Sequence, residues 1–261
     1  MAADGRGVLV TGGAGYIGSH AAKALQRAGY RVVVYDNLVA GHRGAVKYGE
    51  LVVGDITDGA AVRAAIRRHD IFAVMHFAAF LDVGESVRDP AKYYRNNVVG
   101  ALAVLDAMAA ESTRHFVFSS TCATYGEPIE TPIAETHPQR PINSYGESKL
   151  AVERALPHFE RAYGMRWAAL RYFNASGADP DGEIGEDLVR PQRVAHRGQI
   201  GDIAHFERAE LRRGAVAGNQ VVEDDDAMPG ALQRLRGMAA DVAGAARDEH
   251  RPPVSVQWRN T

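Results

Sequence analysis

Short apolar runs alternate with stretches of helical apolar spacing over the first two thirds of the chain. The runs predict six strands, the first beginning at Val8 and the others at 31–35, 51–54, 71–77, 115–120 and 165–174. The segments between them predict helices at 16–28, 58–68, 90–110 and 144–164. Strands that alternate with helices favour a parallel, doubly wound sheet. The predicted fold class is therefore α/β, of the Rossmann type.

Closely spaced glycines separate the first strand from the first helix. Gly12, Gly15 and Gly18 stand where a dinucleotide-binding turn needs close backbone approach to a pyrophosphate and tight helix packing. A tight turn without a ligand is the alternative for glycines alone. Asp36 ends the second strand about 20 residues after the turn, where a carboxylate accepts hydrogen bonds from the adenosine ribose. The pattern favours NAD over NADP as the cofactor. Arg43 lies downstream, so NADP stays an alternative cofactor.

Two residues on one predicted helix suggest acid/base chemistry. Tyr145 and Lys149 lie four residues apart and hence on one face. A tyrosine titrates at roughly pH 10, so a base that works near neutral pH needs a neighbouring cation to stabilise the tyrosinate. Thr121 follows the fifth strand at the carboxyl edge of the sheet, where doubly wound folds bind ligands. A turn or helix cap is the alternative for Thr121.

The overall composition is typical of soluble proteins, with 46% hydrophobic and 24% charged residues. A net charge of -2 gives no electrostatic reason to expect nucleic acid or an anionic membrane as a partner. The first strand begins near the start of the sequence and no apolar run approaches membrane-spanning length, so we expect a cytoplasmic protein. The single cysteine excludes an internal disulfide. His196, Asp202 and His205 lack compact ligand spacing, so we expect no metal site.

The composition changes after Asp187. All ten tyrosines and all four lysines precede this point, whereas residues 188–261 contain eleven arginines, no lysine, no tyrosine and one phenylalanine. Weak signals predict two helices and a strand in this tail, at 203–213, 231–247 and 254–258. We predict a Rossmann domain over 7–187 and a distinct arginine-rich tail over 188–261. The tail is either a different domain or the translation of a shifted reading frame, and both readings stay open.

Nine motifs, in order, resemble the UDP-glucose 4-epimerase family of the extended short-chain dehydrogenase/reductases over about residues 7–187. They are Thr11-Gly12-Gly13-Ala14-Gly15-Tyr16-Ile17-Gly18, Asp36-Asn37, Gly54-Asp55-Ile56, His76-Phe77-Ala78-Ala79, Val83-Gly84-Glu85-Ser86, Asn96-Asn97, Ser119-Ser120-Thr121, Tyr145-x-x-x-Lys149 and Arg171-Tyr172-Phe173-Asn174. The number of motifs and their order make the resemblance specific.

The resemblance implies a role for each matched residue. Tyr145 is the implied acid/base, Lys149 lowers its pKa and binds the nicotinamide ribose, and Thr121 hydrogen-bonds the sugar hydroxyl. The residues implied to bind NAD, besides Tyr145 and Lys149, are Gly12, Gly15, Tyr16, Ile17, Gly18, Asp36, Asn37, Asp55, Ile56, Phe77, Ala78, Ala79, Asn97 and Phe173. The residues implied to contact the substrate are Thr121, Tyr145 and Asn174.

Several of these implied contacts have a structural alternative. Asp55 could cap the helix that follows it, and Asn97 could be one polar position on a long helix. Phe77 and Phe173 could both be core residues. Leu81 stands where the family often has a lysine near the cofactor, so one cofactor contact differs from the family pattern.

The implied activity is NAD-dependent interconversion of UDP-glucose and UDP-galactose through a 4-keto intermediate, in a homodimer that holds its NAD tightly. The family's substrate-gripping motifs are not recognisable in residues 188–261, which predicts impaired activity. A dehydratase is disfavoured, because it would need an acidic residue beside Thr121, where Cys122 and Ala123 stand. Two alternatives stay open. One is a plain NAD-dependent sugar-nucleotide oxidoreductase, which could use the same residues, and the other is an inactive NAD-binding remnant.

Overall fold

The structure is a computed structural model that describes residues 5–175, 177–184 and 254–257. Its strands are β1 (Gly7–Thr11), β2 (Arg31–Asp36), β3 (Glu50–Val53), β4 (Ile71–His76), β5 (His115–Thr121), β6 (Arg166–Tyr172) and β7 (Val254–Gln257). They form one sheet in the order β3-β2-β1-β4-β5-β6-β7, and every neighbouring pair is parallel. The predicted α/β fold with a doubly wound parallel sheet is confirmed.

Helices cover both faces of this sheet. They are α1 (Tyr16–Arg27), α2 (Gly59–Arg68), α3 (Val83–Arg88), α4 (Pro90–Tyr93), α5 (Ala101–Ala110) and α6 (Ser144–Tyr163). Successive strand residues point to opposite faces, so Val8 and Val32 lie in a core with α1, whereas Leu9 and Val33 lie in a second core with α2, α5 and α6. The apolar runs that form β1, β2 and β4 are therefore strands buried on both faces, whereas the edge strand β3 is half-buried to exposed.

The predicted helix 90–110 is not a continuous α-helix. It begins at Pro90 as predicted, with the Asp89 carboxylate accepting from the Lys92 amide at 3.1 Å, but a π-helical segment (Tyr94–Gly100) separates α4 from α5. Gly100 lies in this segment against Ile56, where a Cβ would approach the Ile56 Cδ1 atom to 2.6 Å. Apolar spacing counts side chains on one face and cannot detect the extra residue of a π turn.

Two smaller differences are a short helix and the end of a strand. The six-residue helix α3, capped by the Asp82 side chain, was not predicted because it is too short to show a helical period. Strand β6 ends at Tyr172, two residues before the predicted end, and Phe173 is 40% exposed. Within the described ranges, no helix has both the length and the apolar character needed to cross a membrane.

The arginine-rich tail is described only at β7. This strand coincides with the predicted strand 254–258 and pairs with β6 at the edge of the sheet. The helices predicted at 203–213 and 231–247 lie outside the described residues. The division of the chain after Asp187 stays a prediction.

Two glycines bring the turn after β1 into backbone contact with its surroundings. Gly12 has φ +71°, and a Cβ there would lie 2.5 Å from the Ala78 amide nitrogen. A Cβ on Gly18, in the first turn of α1, would collide with the Gly12 carbonyl oxygen and lie 2.8 Å from the Gly13 Cα. Both positions therefore require a residue without a side chain.

We expect Gly18→Ala to destabilise the fold by about 1–3 kcal/mol, because the added methyl group overpacks a backbone contact. Gly44→Ala is the matched control, since a Cβ there meets nothing within 4 Å. It should change stability by less than about 1 kcal/mol, and in the stabilising direction. Urea unfolding of both variants measures the difference, and equal midpoints for the two would contradict the packing explanation.

Candidate active site

The predicted site residues gather at one edge of the sheet, because all the strands run in the same direction. They follow or end successive strands: Gly12 after β1, Asp36 at the end of β2, Asp55 after β3, Phe77 after β4, Thr121 at the end of β5 and Phe173 after β6. Strand β1 has β2 on one side and β4 on the other. The order of strands thus reverses beside β1, and doubly wound sheets bind ligands in the crevice at such a reversal.

The start of α1 is suited to an anion. Gly15 is its N-cap residue, and among the described residues no side chain caps the helix and no acidic residue lies in its first turn. The first amides of a helix have no carbonyl partner within the helix, and the helix dipole favours negative charge there. A Cβ on Gly15 would meet only the Gly12 carbonyl oxygen, at 3.3 Å. These features fit a pyrophosphate, as the glycine pattern predicts.

Asp36 is anchored to the glycine turn. Its Oδ2 accepts a hydrogen bond from the Ala14 amide at 3.0 Å and its Oδ1 accepts one from the Leu38 amide at 2.8 Å. A carboxylate oxygen accepts more than one hydrogen bond, so both oxygens keep capacity for a ligand hydroxyl. Asp36 is therefore held in place at the strand end, where the sequence predicts the ribose.

Two further residues predicted near the cofactor contact each other. The Asn37 side chain donates to the Asp55 carboxylate at 2.9 Å. Hydrogen bonds from the hydroxyl and amide of Thr57, then that from Asn37, lower the pKa of Asp55. The alternative that Asp55 caps the next helix is wrong, because Asp58 caps α2 by accepting from the Ala61 amide.

Burial separates the remaining predicted cofactor residues into two groups. Ile56 is 4% exposed and belongs to the core beneath Gly100, and Phe77 is half-buried against the α1 core. Phe173 and Asn174 are exposed, so the core alternative for Phe173 is wrong. The hydroxyl of Tyr16 donates to the Gly177 carbonyl.

Asn97 joins three elements of the site. It is 2% exposed, its Oδ1 accepts from the Phe80 amide at 2.9 Å, and its Nδ2 donates to the Phe80 carbonyl at 3.0 Å. The same Nδ2 lies 3.2 Å from the Ser148 hydroxyl of α6. Asn97 lies buried in the π-helical segment with these hydrogen bonds, so it is more than one polar position on a long helix. It holds the loop after β4 against the helix that carries Tyr145.

Thr121 lies beside Tyr145, as its predicted position at the end of the fifth strand suggests. Thr121 is 7% exposed at the end of β5, and its hydroxyl hydrogen-bonds the Tyr145 side chain while also accepting from the Ala123 amide at 3.2 Å. The turn role proposed as an alternative is therefore present at Thr121, and its role in the site stays a prediction. The buried ring of Tyr93 packs edge-on against the Tyr145 ring, with centroids 6.5 Å apart.

The pKa shifts of Tyr145 and Lys149 differ from the expectation. Burial raises the pKa of Tyr145, and the Thr121 hydrogen bond opposes that effect without reversing it. Lys149 is 3% exposed, its ammonium donates to the Ser119 carbonyl at 2.8 Å, and burial lowers its pKa to about 7 against the opposing effect of Glu153. The expected lowering of the Tyr145 pKa by Lys149 is therefore corrected for this structure, in which burial dominates at both residues.

A buried charge cluster behind the site was missed by sequence reasoning. Glu153 and Arg171 pair at 2.7 Å, and Arg171 also donates to the Tyr125 hydroxyl at 2.8 Å. The Ser120 hydroxyl donates to Glu153. The sequence signal that could have found Glu153 is its position, since it lies four residues after Lys149 and therefore on the same face of α6.

A second ion cluster fastens the segment after β6 to α1. The Lys23 ammonium lies 2.6 Å from Asp179, 2.6 Å from Asp181 and 2.9 Å from Glu183. Burial disfavours the charged form of Lys23, but its carboxylate partners outweigh burial and raise its pKa. These three carboxylates surround the Lys23 ammonium group, and its positive charge explains why they lie close together. His196, Asp202 and His205, where the sequence predicts no metal site, lie outside the described residues.

His76 is a buried strand-end residue beside the site. It is 1% exposed, and its Nδ1 lies 2.8 Å from the Thr11 hydroxyl at the end of β1. Burial, and then the charge of Lys149, lower the pKa of His76 to about 3. His76 is therefore neutral in the folded protein near neutral pH.

The chain is similar to known proteins in both sequence and structure. The NAD dependent epimerase/dehydratase family matches residues 8–214. A UDP-glucose 4-epimerase of Rhizobium leguminosarum bv. trifolii is 52% identical over 182 residues, which cover 70% of this chain and 56% of that protein. The chain thus spans about half the length of this relative.

Two solved structures share the fold. A UDP-glucose 4-epimerase from Brucella ovis in complex with NAD superposes with a TM-score of 0.68 at 56% identity, over 69% of this chain and 56% of that one. A UDP-glucose 4-epimerase from Bifidobacterium longum in complex with NAD+ and UDP has a TM-score of 0.66 at 36% identity, over 69% and 57% of the two chains.

The buried neutral His76 should make stability depend on pH. Its folded pKa lies below the ordinary value, so between pH 6.5 and about 3 the unfolded chain binds a proton that the folded chain does not. Stability is therefore lost as the pH falls through this window, by at most about 1.4 kcal/mol per pH unit. We expect His76→Asn to lose less stability than the unchanged protein when urea unfolding is repeated from pH 7 to pH 4.

His158→Asn is the control for this prediction, because His158 is an exposed histidine of α6. Its pH dependence should follow that of the unchanged protein. Parallel stability curves for His76→Asn and the unchanged protein would contradict the assignment of a neutral buried imidazole.

Proposed function

Because the chain belongs to the NAD dependent epimerase/dehydratase family, we propose that it is an NAD-dependent nucleotide-sugar 4-epimerase that acts on a UDP-sugar. One observation carries the proposal. Thr121, Tyr145 and Lys149 converge at the carboxyl end of β5, on the same edge as the uncapped start of α1. An acid/base group thus lies at the edge that carries an anion-binding turn.

The residues that would hold the cofactor fit its parts. The glycine turn and the first amides of α1 suit the pyrophosphate, and the anchored carboxylate of Asp36 suits the adenosine ribose. When bound, NAD supplies a hydride acceptor that can return the hydride to the substrate. Net consumption of NAD is not required, so a tightly held cofactor suits the reaction.

The chain's own residues supply the proton transfers. Tyr145 accepts the proton of the sugar hydroxyl and returns it, while Thr121 hydrogen-bonds the same centre and orients it. A base near neutral pH requires a tyrosine pKa below its raised value in this structure, and the Thr121 hydroxyl is the neighbour that acts in that direction. Asn174 is exposed after β6 and is the proposed contact to the substrate.

The finer features are proposals that rest on the family. The substrate is a UDP-sugar, with UDP-glucose and UDP-galactose as the proposed pair. A homodimer is proposed from the family resemblance, and light scattering of the purified protein measures it. The expected cytoplasmic location stays a prediction.

The first functional prediction is that the protein binds NAD more tightly than NADP, because the Asp36 carboxylate repels a 2′-phosphate. Asp36→Asn keeps the shape of the side chain and removes its charge, so it should narrow the difference in affinity between NAD and NADP. Asp58→Asn is the matched control, since asparagine also caps a helix and Asp58 serves α2. Calorimetry that gives equal affinities for NAD and NADP in the unchanged protein would contradict the role of Asp36.

The second functional prediction concerns the base. Tyr145→Phe should reduce conversion of UDP-galactose to UDP-glucose by about 10²-fold or more, because the proton-transfer group is lost. Affinity for NAD should stay nearly unchanged. Tyr163→Phe, which alters an exposed tyrosine of the same helix, should leave the rate unchanged. The measurement is a coupled assay of UDP-glucose formation with NAD supplied.

Three results would change the proposal in different ways. Retained activity in Tyr145→Phe would contradict its role as the base. Net NADH formation on addition of a UDP-sugar would indicate a dehydrogenase. NAD binding without any turnover in the unchanged protein would contradict the epimerase proposal and favour an NAD-binding remnant.

A further inference from the structure

Three consecutive residues at the end of β5 contact one face of α6. The Ser119 carbonyl accepts from the Lys149 ammonium at 2.8 Å, and the next residue, Ser120, donates its hydroxyl to Glu153. The residue after it, Thr121, hydrogen-bonds Tyr145. The helical partners lie four residues apart and therefore form one stripe along the helix. The third of them, Glu153, has no part in the proposed chemistry.

The Glu153 carboxylate is fixed from several directions. It is 7% exposed, and Arg171 of β6 donates to it through Nη2 at 2.7 Å and Nε at 3.1 Å. The Gln139 side chain donates to its Oε2 at 2.9 Å. A buried carboxylate is costly unless a cation and hydrogen bonds compensate it, and Arg171 and Gln139 do so here. Glu153 therefore presents a fixed negative charge one helical turn from Lys149.

The surroundings of Lys149 contain few other charges. On α6 it faces Tyr145 and Glu153, and from β5 it meets the Ser119 carbonyl and the Phe118 ring, whose centroid lies 4.9 Å from the ammonium. From the neighbouring strands, His76 on β4 interacts with the Lys149 charge, while Arg171 on β6 pairs with Glu153. Within the described part of the chain, Glu153 is the one carboxylate whose charge favours the protonated form of Lys149.

We propose that Glu153 is a positioning residue of the acid/base site: its fixed carboxylate keeps Lys149 protonated and holds the Tyr145–Lys149 face in register with the end of β5. The inference rests on the proposed function, because it assigns Glu153 a role through the pair that acts there. Burial already lowers the pKa of Lys149 to about 7, so loss of the Glu153 charge moves the loss of the Lys149 proton to still lower pH.

The experiment is a titration of Lys149 in the whole chain with NAD absent. The protein has four lysines, so selective ¹⁵N labelling of lysine gives four side-chain signals, and Lys149→Arg identifies the one of interest. We expect Glu153→Gln to lower the pKa of Lys149 measurably, and Glu153→Asp, which keeps the charge, to stay closer to the unchanged protein. Glu147→Gln is the matched control, because Glu147 lies two residues from Lys149 on the same helix and outside the stripe.

An unchanged Lys149 titration in a folded Glu153→Gln variant, or an equal fall in Glu147→Gln, would overturn the proposal. If Glu153→Gln does not fold, the double variant Glu153→Gln/Arg171→Gln removes both charges of the buried pair, with Arg171→Gln as its reference. The pKa of Lys149 should be lower in the double variant than in Arg171→Gln, and an equal or higher pKa in the double variant would overturn the proposal. These readouts need no turnover, so they stand apart from failure of the epimerase proposal.

Discussion

The site depends on a close approach between two backbones. The turn after β1 and the turn after β4 lie so near each other that Gly12 has no room for a Cβ beside the Ala78 amide. The same turn supports the first turn of α1 through Gly18. This contact sets the direction of the helix and the width of the crevice at the reversal of strand order. Polar groups from later strands can converge there only because the first turn is that compact.

Two buried lysines show how neighbours decide what a charge does. Lys23 and Lys149 are 4% and 3% exposed, yet the pKa of Lys23 is raised and that of Lys149 is lowered to about 7. Lys23 contacts three carboxylates directly, whereas Lys149 donates to a neutral carbonyl and is influenced by one carboxylate. The first lysine is therefore a permanent cation that binds segments together. The second lies near its titration point, so its charge depends on its neighbours.

Local sequence patterns predicted most of the fold, and they also predicted that the main site residues lie at one edge of the sheet. Apolar runs identify strands buried on both faces, and the glycine spacing with Asp36 identifies the first turn. The π turn was not predictable, because the apolar stripe continues on either side of it. The Glu153–Arg171 pair was missed because charged residues are ordinarily exposed and the two belong to different elements. Burial also decided the pKa of Tyr145, and helical spacing carries no information about solvent exclusion.

The ion cluster at Lys23 also bears on the order in which the domain is completed. Lys23 and Asp179 are 156 positions apart in the chain. A ribosome releases α1 long before it releases the acidic segment. Contacts between distant parts of a chain close late, because a large loop must be ordered first. During synthesis the ammonium of the first helix therefore stays in water, and that helix reaches its final electrostatic environment only after β6 has joined the sheet.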